Sequence, residues 1–306
     1  MDIYLIKDRL EPCTLDQAVK REYPYVCAAE ADEFQHNASF FDLGMDLELD
    51  LAGLTTTKAE VNFDSVIGTF DIPDRRDLTA DHSRFAFAFD EKGIVFIGGG
   101  DYVREKIASI IRLKKWRFPS LERFLFDFLE QITDDDLRIL EAYDARLDAM
   151  EDRIQASDLE DIPDRIADIR GCVSDLNLHY GQLLDLTQEL EENENSYFAE
   201  ENLRYFSMYA SRIRSLKEIA SSVKDHCIQV RELHQVTMDA RQNRLMAILT
   251  VVATIFMPLT LVTGWYGMNF VYMPELHYQY AYPMVFGLCV AIVTGCVWWF
   301  KKNKWL

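Results

Sequence analysis

Hydrophobic and polar positions follow three successive patterns along the chain. Up to about residue 100, short runs alternate between apolar and polar residues, which is typical of β-strands. From Pro119 to Arg244, apolar residues recur every three or four positions, which predicts long helices. Beyond Arg244, two long apolar runs replace this periodicity. The sequence therefore predicts an α/β region, then a helical region, then a membrane region.

The first region predicts a sheet with one helix after it. The predicted strands are 2–6, 25–29, 60–70, 85–89 and 94–97. Asp90-Glu91-Lys92-Gly93 predicts a hairpin turn between the last two strands. Gly98-Gly99-Gly100 then leads into a helix that begins near Asp101. Such a glycine run can cradle phosphate, but no GxGxxG or Walker lysine accompanies it, so a flexible connector is favoured over an enzyme site.

The second region predicts three helices, which begin near residue 118, at Pro163 and near Glu200. The third has a row of apolar or small residues at coiled-coil spacing. These are Leu203, Phe206, Ala210, Ile213, Leu216, Ala220, Val223, Cys227 and Val230. Since no Pro or Gly interrupts it before Pro258, this stalk helix is predicted to enter the first apolar run unbroken, as 66 residues and about 99 Å.

The two apolar runs, 245–266 and 280–300, are 22 and 21 residues without a charge. About 20 apolar residues cross a bilayer, whereas buried core helices are usually shorter and carry polar residues on one side, so two transmembrane helices are predicted. Basic residues flank the pair, and none lies in the loop between them. The positive-inside rule then places both termini in the cytoplasm and the loop outside the cell inner (plasma) membrane. The flanking residues are Arg241, Arg244, Lys301, Lys302 and Lys304.

Charge is distributed as unevenly as hydrophobicity. The net charge of the 306 residues is −19, but residues 1–244 hold 50 acidic and 29 basic residues, a net −21, and the remainder is +2. An acidic chain lacks the basic face that nucleic acid requires, so no nucleic-acid partner is expected. The six cysteines show neither zinc-site nor disulfide spacing. Nothing in these patterns predicts an enzyme.

Two short motifs carry a family resemblance. Tyr266-Gly267-Met268-Asn269 directly follows the first apolar run, and Met273-Pro274-Glu275-Leu276 precedes the second. With these motifs and its basic C-terminus, the chain resembles the CorA family of divalent-cation channels over about residues 241–306. The resemblance implies a homopentamer in membrane lipid that has no resident cofactor, transports Mg2+ and Co2+, and is regulated by cytoplasmic Mg2+. A zinc transporter of the related ZntB branch and a membrane-anchored scaffold without transport remain alternatives.

The resemblance also implies site residues. Gly267, Met268 and Asn269 would form the selectivity filter, and their amide and carbonyl oxygens suit a Mg2+ ion that gives up its water reluctantly. For Asn269, a helix C-cap is the alternative. The pore-lining positions recur every three or four residues along the first span, although ordinary helix packing can produce the same spacing. They are Asn243 at the cytoplasmic mouth, Leu249 and Met257 as hydrophobic constrictions, and Thr260 and Gly264 nearer the filter.

Other polar residues give weaker predictions. Glu275, the one acid beyond Arg244, either attracts cations to the outer loop or is merely solvated. Asp225, Glu232 and Asp239, spaced by seven on the stalk, are speculative regulatory metal ligands. Most acids of the helical region, 134–136 included, are interpreted as a solvated face. Thr254 and Thr263 are expected to hydrogen-bond back to their own helix.

The predicted fold class is an α+β membrane protein, with an N-terminal α/β cytoplasmic domain and a long helical stalk that continues into the first of two transmembrane helices. The predicted segments are 1–117, the α/β domain; 118–199, antiparallel helices; 200–244, the stalk; 245–266, the pore-lining span; 267–279, the outer loop with the filter; 280–300, the second span; and 301–306, the basic tail.

Overall fold

The computed structural model describes residues 1–20, 22–41, 55–75, 77–78, 80–268, 272–274 and 279–303. The chain divides into two compact units, Met1–Arg231 and Glu232–Leu306. In its described residues the first unit contains a sheet and seven α-helices, the last of which continues into the second unit.

The strands are β1 Asp2–Ile6, β2 Leu10–Pro12, β3 Tyr25–Ala29, β4 Lys58–Val61, β5 Val66–Ile72, β6 Ser83–Phe89 and β7 Gly93–Gly98. The helices are α1 Leu15–Val19, α2 Ala31–Phe41, α3 Gly100–Leu113, α4 Leu121–Ile132, α5 Asp136–Gln155, α6 Ile162–Glu192, α7 Arg204–Tyr266 and α8 Ala281–Lys302.

The seven strands form one mixed sheet in the order β2-β1-β3-β7-β6-β5-β4. Only the described pair β3 and β7 is parallel. Four of the predicted strands are confirmed, but the prediction of one strand over 60–70 is wrong. A turn separates β4 from β5 there, and Asn62 N–H donates to Ser65 O at 2.8 Å. Asn, Asp and Ser favour turns because their side chains hydrogen-bond nearby backbone.

The predicted hairpin between β6 and β7 is confirmed. Asp90 N–H donates to Gly93 O at 3.1 Å, and the Asp90 carboxylate accepts from the backbone N–H groups of Lys92 and Gly93 at 2.8 and 2.9 Å. The carboxylate thus satisfies the donors of the turn, as Asp does in tight turns.

The glycine run after β7 forms the turn that leads into α3. All three glycines have positive φ, of 76°, 80° and 47°. A Cβ on Gly99 would lie 2.9 Å from both Phe85 Cβ and Val103 Cγ2. Glycine is therefore required at Gly99 both by backbone conformation and by the close approach of β6 and α3.

Helices cover both faces of the sheet. On one face, α1 and α2 bring Ala18, Phe34 and Phe41 into a buried cluster with alternate residues of the inner strands. On the other face, Phe128 of α4 stacks on Phe96 with 4.4 Å between ring centroids. Strand side chains alternate between the two faces, which explains how apolar runs such as β7 support both layers.

The helical region differs from prediction at one point. The helix predicted over 118–156 is broken between α4 and α5 around Thr133, and both Thr and Asp favour helix ends over helix interiors. The helix predicted from Pro163 to about 192 is confirmed as α6. The apolar row on α7 is buried at all its positions from Phe206 to Val230, with Leu203 half-buried just before the helix.

One of the acids interpreted as solvated is buried. Asp136 is fully buried at the start of α5 and pairs with Arg75 through two hydrogen bonds, Nε to Oδ1 at 2.8 Å and Nη2 to Oδ2 at 2.9 Å. A buried carboxylate requires such a partner, because leaving it without one would cost several kcal/mol. Asp136 therefore serves to join α5 to the loop after β5.

Candidate ion pathway

α7 and α8 are long and apolar enough to cross a membrane, with mean hydropathies of 2.4 and 1.9 in their most apolar segments. α7 extends from Arg204 to Tyr266 without interruption and contains Pro258 within the helix. At 1.5 Å per residue its 63 residues measure about 94 Å. The predicted continuation of the stalk into the first span is therefore confirmed.

Each span has one stripe of side chains that is partly buried within a single chain. Both stripes repeat every three or four residues, so each lies along one side of its helix. On α7 the stripe is Ala247, Val251, Ile255, Leu259, Val262 and Tyr266. On α8 it is Ala281, Val285, Cys289, Ile292, Cys296 and Phe300. Along these sides the side chains are less exposed than along the rest of each span.

The predicted pore positions lie on the other side of α7. Asn243, Leu249, Met257, Thr260 and Gly264 are all exposed, with Met257 at 75%. Successive residues of a helix are rotated by about 100°, so these five positions centre about 180° from the partly buried stripe. A single chain thus leaves this face uncovered, and it carries no charge between Leu245 and Tyr266.

Threonine hydroxyls of the span donate hydrogen bonds to backbone carbonyls of their own helix. Thr254 and Thr263 donate to Thr250 O and Leu259 O at 2.8 and 2.9 Å, as expected. Thr260, a predicted pore residue, likewise donates to Phe256 O at 2.8 Å. Its hydroxyl therefore presents only oxygen lone pairs to the exposed face, where it can accept a hydrogen bond from water.

The two glycines near the end of α7 have different surroundings. Gly267 immediately follows the helix, and its N–H donates to Thr263 O at 2.9 Å. A Cβ there would lie 2.9 Å from the same oxygen, so glycine permits this close approach without a positive φ. Around Gly264, by contrast, no described atom outside the neighbouring helix backbone lies within 4 Å of an added Cβ. Nothing in one chain explains a glycine at that position.

The rest of the predicted filter and loop is only partly described. Met268 is exposed, and its N–H donates to Trp265 O at 3.3 Å. Asn269 and Glu275 lie outside the described residues, so their roles stay predictions.

The speculative regulatory residues are not brought together in one chain. Asp225, Glu232 and Asp239 are exposed on α7, and Asp239 accepts a hydrogen bond from Gln235 at 3.2 Å. Asp225 and Asp239 are 14 residues apart, about 21 Å along a helix. Within the described part of the chain, no three His, Cys, Asp or Glu side chains are arranged to hold a metal ion. Their role stays a prediction.

Sequence reasoning missed a charged contact between α5 and α7. The ring of His226 on α7 is mostly buried, and its Nδ1 lies 2.7 Å from Asp144 Oδ1. Its Nε2 lies 3.5 Å from Glu151 Oε1 and 3.9 Å from Asp148 Oδ1. Partial burial lowers the pKa of His226, but the Asp144 hydrogen bond and the three carboxylates outweigh it and raise the pKa. The spacing of these acids, at i, i+4 and i+7, places them on one helix face and was the available signal.

Comparison with known proteins identifies the family. Residues 47–302 match the CorA-like Mg2+ transporter proteins. The chain belongs to this family. The cobalt/magnesium transport protein CorA of Thermotoga maritima is 29% identical over 222 residues, which is 71% of this chain and 61% of that protein. The putative metal ion transporter YfjQ of Bacillus subtilis is 30% identical over 177 residues, 58% of this chain and 56% of that protein. The matched part thus spans about three-fifths of each relative.

Solved structures give the same fold. The CorA magnesium transporter of Methanocaldococcus jannaschii superposes with a TM-score of 0.78 at 17% identity, over 100% of this chain and 98% of that one. The ZntB cytoplasmic domain of Vibrio parahaemolyticus gives 0.56 at 10% identity, over 78% and 98%. At these identities the likeness concerns the fold alone, and it confirms the CorA-type architecture of an α/β domain followed by a long helix and a second apolar helix.

Proposed function

We propose that this chain assembles as a homopentameric channel that admits Mg2+, and also Co2+, through the cell membrane into the cytoplasm. The observation that carries the proposal is the uncovered face of α7, which is opposite the partly buried stripe and has no charged residue between Leu245 and Tyr266. Copies of α7 arranged around an axis would bury this face against a central path. An uncharged wall would not trap a divalent ion during passage.

The membrane potential supplies the driving force. A positive charge that moves to the negative inside gains about 2.3 kcal/mol per 100 mV, and a divalent ion gains about 4.6 kcal/mol. Entry therefore needs no nucleotide hydrolysis. The net −21 of residues 1–244 adds a field that attracts cations on the cytoplasmic side.

Selection is assigned to Gly267, Met268 and Asn269, where the first span ends. Side-chain amide and backbone carbonyl oxygens from several copies would contact a Mg2+ ion that keeps its water. Leu249 and Met257, both exposed on the uncovered face, would form apolar rings that close the path by excluding water. Thr260 and Gly264 lie between those rings and the filter, and Asn243 lies at the cytoplasmic mouth.

Closure is assigned to cytoplasmic Mg2+ bound by carboxylates between copies. Asp225, Glu232 and Asp239 are exposed in one chain and are thus available to a neighbouring copy. The names of the relatives support magnesium and cobalt as cargo. The Thermotoga relative is named a cobalt/magnesium transport protein.

The test is ion flux into liposomes that contain the full chain, with Mg2+, Co2+ and Zn2+ compared and with or without Mg2+ on the cytoplasmic face. Asn269→Ala should reduce Mg2+ uptake at least tenfold, since loss of a hydrogen-bonding contact to the hydrated ion costs about 1.4 kcal/mol or more. Asn303→Ala, beyond the second span, is the matched control and should leave uptake unchanged.

Each alternative has its own outcome. Uptake by Asn269→Ala equal to wild type would overturn the filter assignment. A strong preference for Zn2+ would favour the zinc transporter, and absence of flux for all three ions would favour a scaffold without transport.

A further inference from the structure

A groove lies between α5 and α6 in the first unit. Its volume is about 370 Å³, at the lower end of the range for small-molecule sites. Side chains from both helices line it: Arg146, Ala149, Met150, Arg153, Arg165, Asp168 and Ile169. Met150 and Ile169 are almost fully buried and form an apolar floor beneath the charged groups.

The cationic side chains of the groove are unusual for so acidic a unit. Arg153 is committed to its own helix end, since it donates to Asp158 Oδ2 at 2.8 Å and to Glu160 O at 3.1 Å. Among the described residues, neither Arg146 nor Arg165 forms an ion pair with a carboxylate. The Arg146 guanidinium instead lies 5.3 Å from the ring centroid of Tyr143.

The pattern of α5 explains why Arg146 lacks a carboxylate partner on its own helix. The acids Asp144, Asp148 and Glu151 lie on the face of the helix that contacts His226. Arg146, Met150 and Arg153 recur at three and four residues on a different face, which carries no acid. Asp168 is the one carboxylate in the lining, and it lies more than 4 Å from the Arg165 guanidinium, since no ion pair joins these two described residues.

Two unpaired guanidiniums above an apolar floor fit one class of ligand. A guanidinium binds phosphate through two parallel hydrogen bonds, and its planar face also stacks on rings. The apolar floor accommodates an organic group, and the Asp168 carboxylate can accept from a hydroxyl or amino group. Inorganic phosphate alone would leave the floor unused.

We propose that this groove binds a phosphate ester of nucleotide size, held by Arg146 and Arg165. A soluble nucleotide and a phospholipid headgroup share this chemistry. The site does not depend on the proposed transport function, because none of its residues belongs to α7 or α8.

The test is calorimetric titration of the full chain in detergent, with EDTA present so that Mg2+ does not contribute. The probes are ATP, glycerol 3-phosphate as a headgroup analogue, and inorganic phosphate. ATP should bind with a Kd of about 1 mM or tighter. R146Q/R165Q should weaken binding at least tenfold, since it removes two charge-assisted contacts of more than about 1 kcal/mol each.

Two further variants separate binding from folding. Asp168→Asn removes a negative charge beside the phosphate and should tighten ATP binding several-fold. Arg170→Gln, which is exposed on α6 outside the groove, should leave binding unchanged. All variants should unfold at the wild-type temperature without ligand, because the changed side chains are exposed.

The remaining results of the titration either support or overturn the proposed phosphate-ester site. Glycerol 3-phosphate binding tighter than ATP would support the site and assign it to a lipid headgroup. A failure of both esters to saturate, binding of inorganic phosphate as tight as that of either ester, or equal affinity of R146Q/R165Q and wild type would overturn the proposal.

Discussion

The two units of the molecule differ in how much of their apolar surface is buried within one chain. In the first unit, the side chains of β3 and most of those of β7 are buried, and the aromatic rings of four elements pack together within one chain. In the second, only 6% of the most apolar segment of each span is buried. The first unit therefore completes its core alone, whereas a single chain leaves most of the apolar surface of its spans exposed.

Polar groups differ in the same way. The first unit places charged pairs inside its core, such as Arg75 with Asp136, and joins α5 to α7 through His226. In the spans the threonine hydroxyls donate to their own helix, and no charge lies between Leu245 and Tyr266. A span has no water to satisfy its polar groups, so each helix must satisfy its own.

The largest contrast is expected from one substitution made in both units. Phe128→Ala removes a fully buried ring that contacts Phe70, Phe85, Phe96 and Phe124, and should destabilise the first unit by about 3–5 kcal/mol. Phe286→Ala, at a side chain 64% exposed on α8, should cost less than about 1 kcal/mol. Urea unfolding of the full chain in detergent measures both values. Similar losses would mean that α8 is as tightly packed as the sheet.

The buried ion pair should give an effect nearly as large. Asp136→Ala leaves the buried Arg75 guanidinium without its partner, so we expect a loss of about 3–5 kcal/mol. Glu11→Ala, which breaks the exposed pair with Lys7, should leave stability nearly unchanged, because water screens that pair. R75M/D136L should recover much of the loss, because no unpaired charge remains. Equal effects of Asp136→Ala and Glu11→Ala would show that Asp136 is solvated.

Two glycines offer a smaller and sharper comparison. Gly99→Ala forces a side chain into φ +80° and against Phe85, so a loss of about 1–3 kcal/mol is expected. Gly264→Ala should leave stability unchanged or raise it slightly, since one chain has open space there and Ala favours helix. If Gly264 faces the pore, the same variant should nevertheless reduce Mg2+ uptake into liposomes. Unchanged uptake would remove Gly264 from the pore lining.

The sequence predicted the periodic elements better than the buried charges that depend on a distant partner. The buried row on α7 follows from periodicity, the continuous stalk from the absence of Pro and Gly before Pro258, and the two spans from their long uncharged runs. Burial of Asp136 could not be predicted, because its partner Arg75 is 61 residues away in sequence. The break between α4 and α5 was missed because the helical periodicity continues across it. The spacing also predicted that Asn243, Leu249, Met257, Thr260 and Gly264 share one face of α7, but spacing alone does not assign a function to that face.

The smallest effect is expected from pH, at the contact between the stalk and α5. The pKa of His226 is raised in the folded chain, so its imidazolium stabilises the fold fully below the ordinary value of 6.5 and loses this effect as pH rises through the folded-state pKa. His179 makes stability depend on pH in the opposite direction. Burial lowers the pKa of His179, so this residue destabilises the fold only as pH falls below 6.5. Because Asp144 is half exposed, the His226 contribution should be about 1 kcal/mol or less. Urea unfolding from about pH 6.5 to about pH 8.5 should show this decline in wild type and not in His226→Gln. A decline of equal size in both would assign the pH dependence to another group.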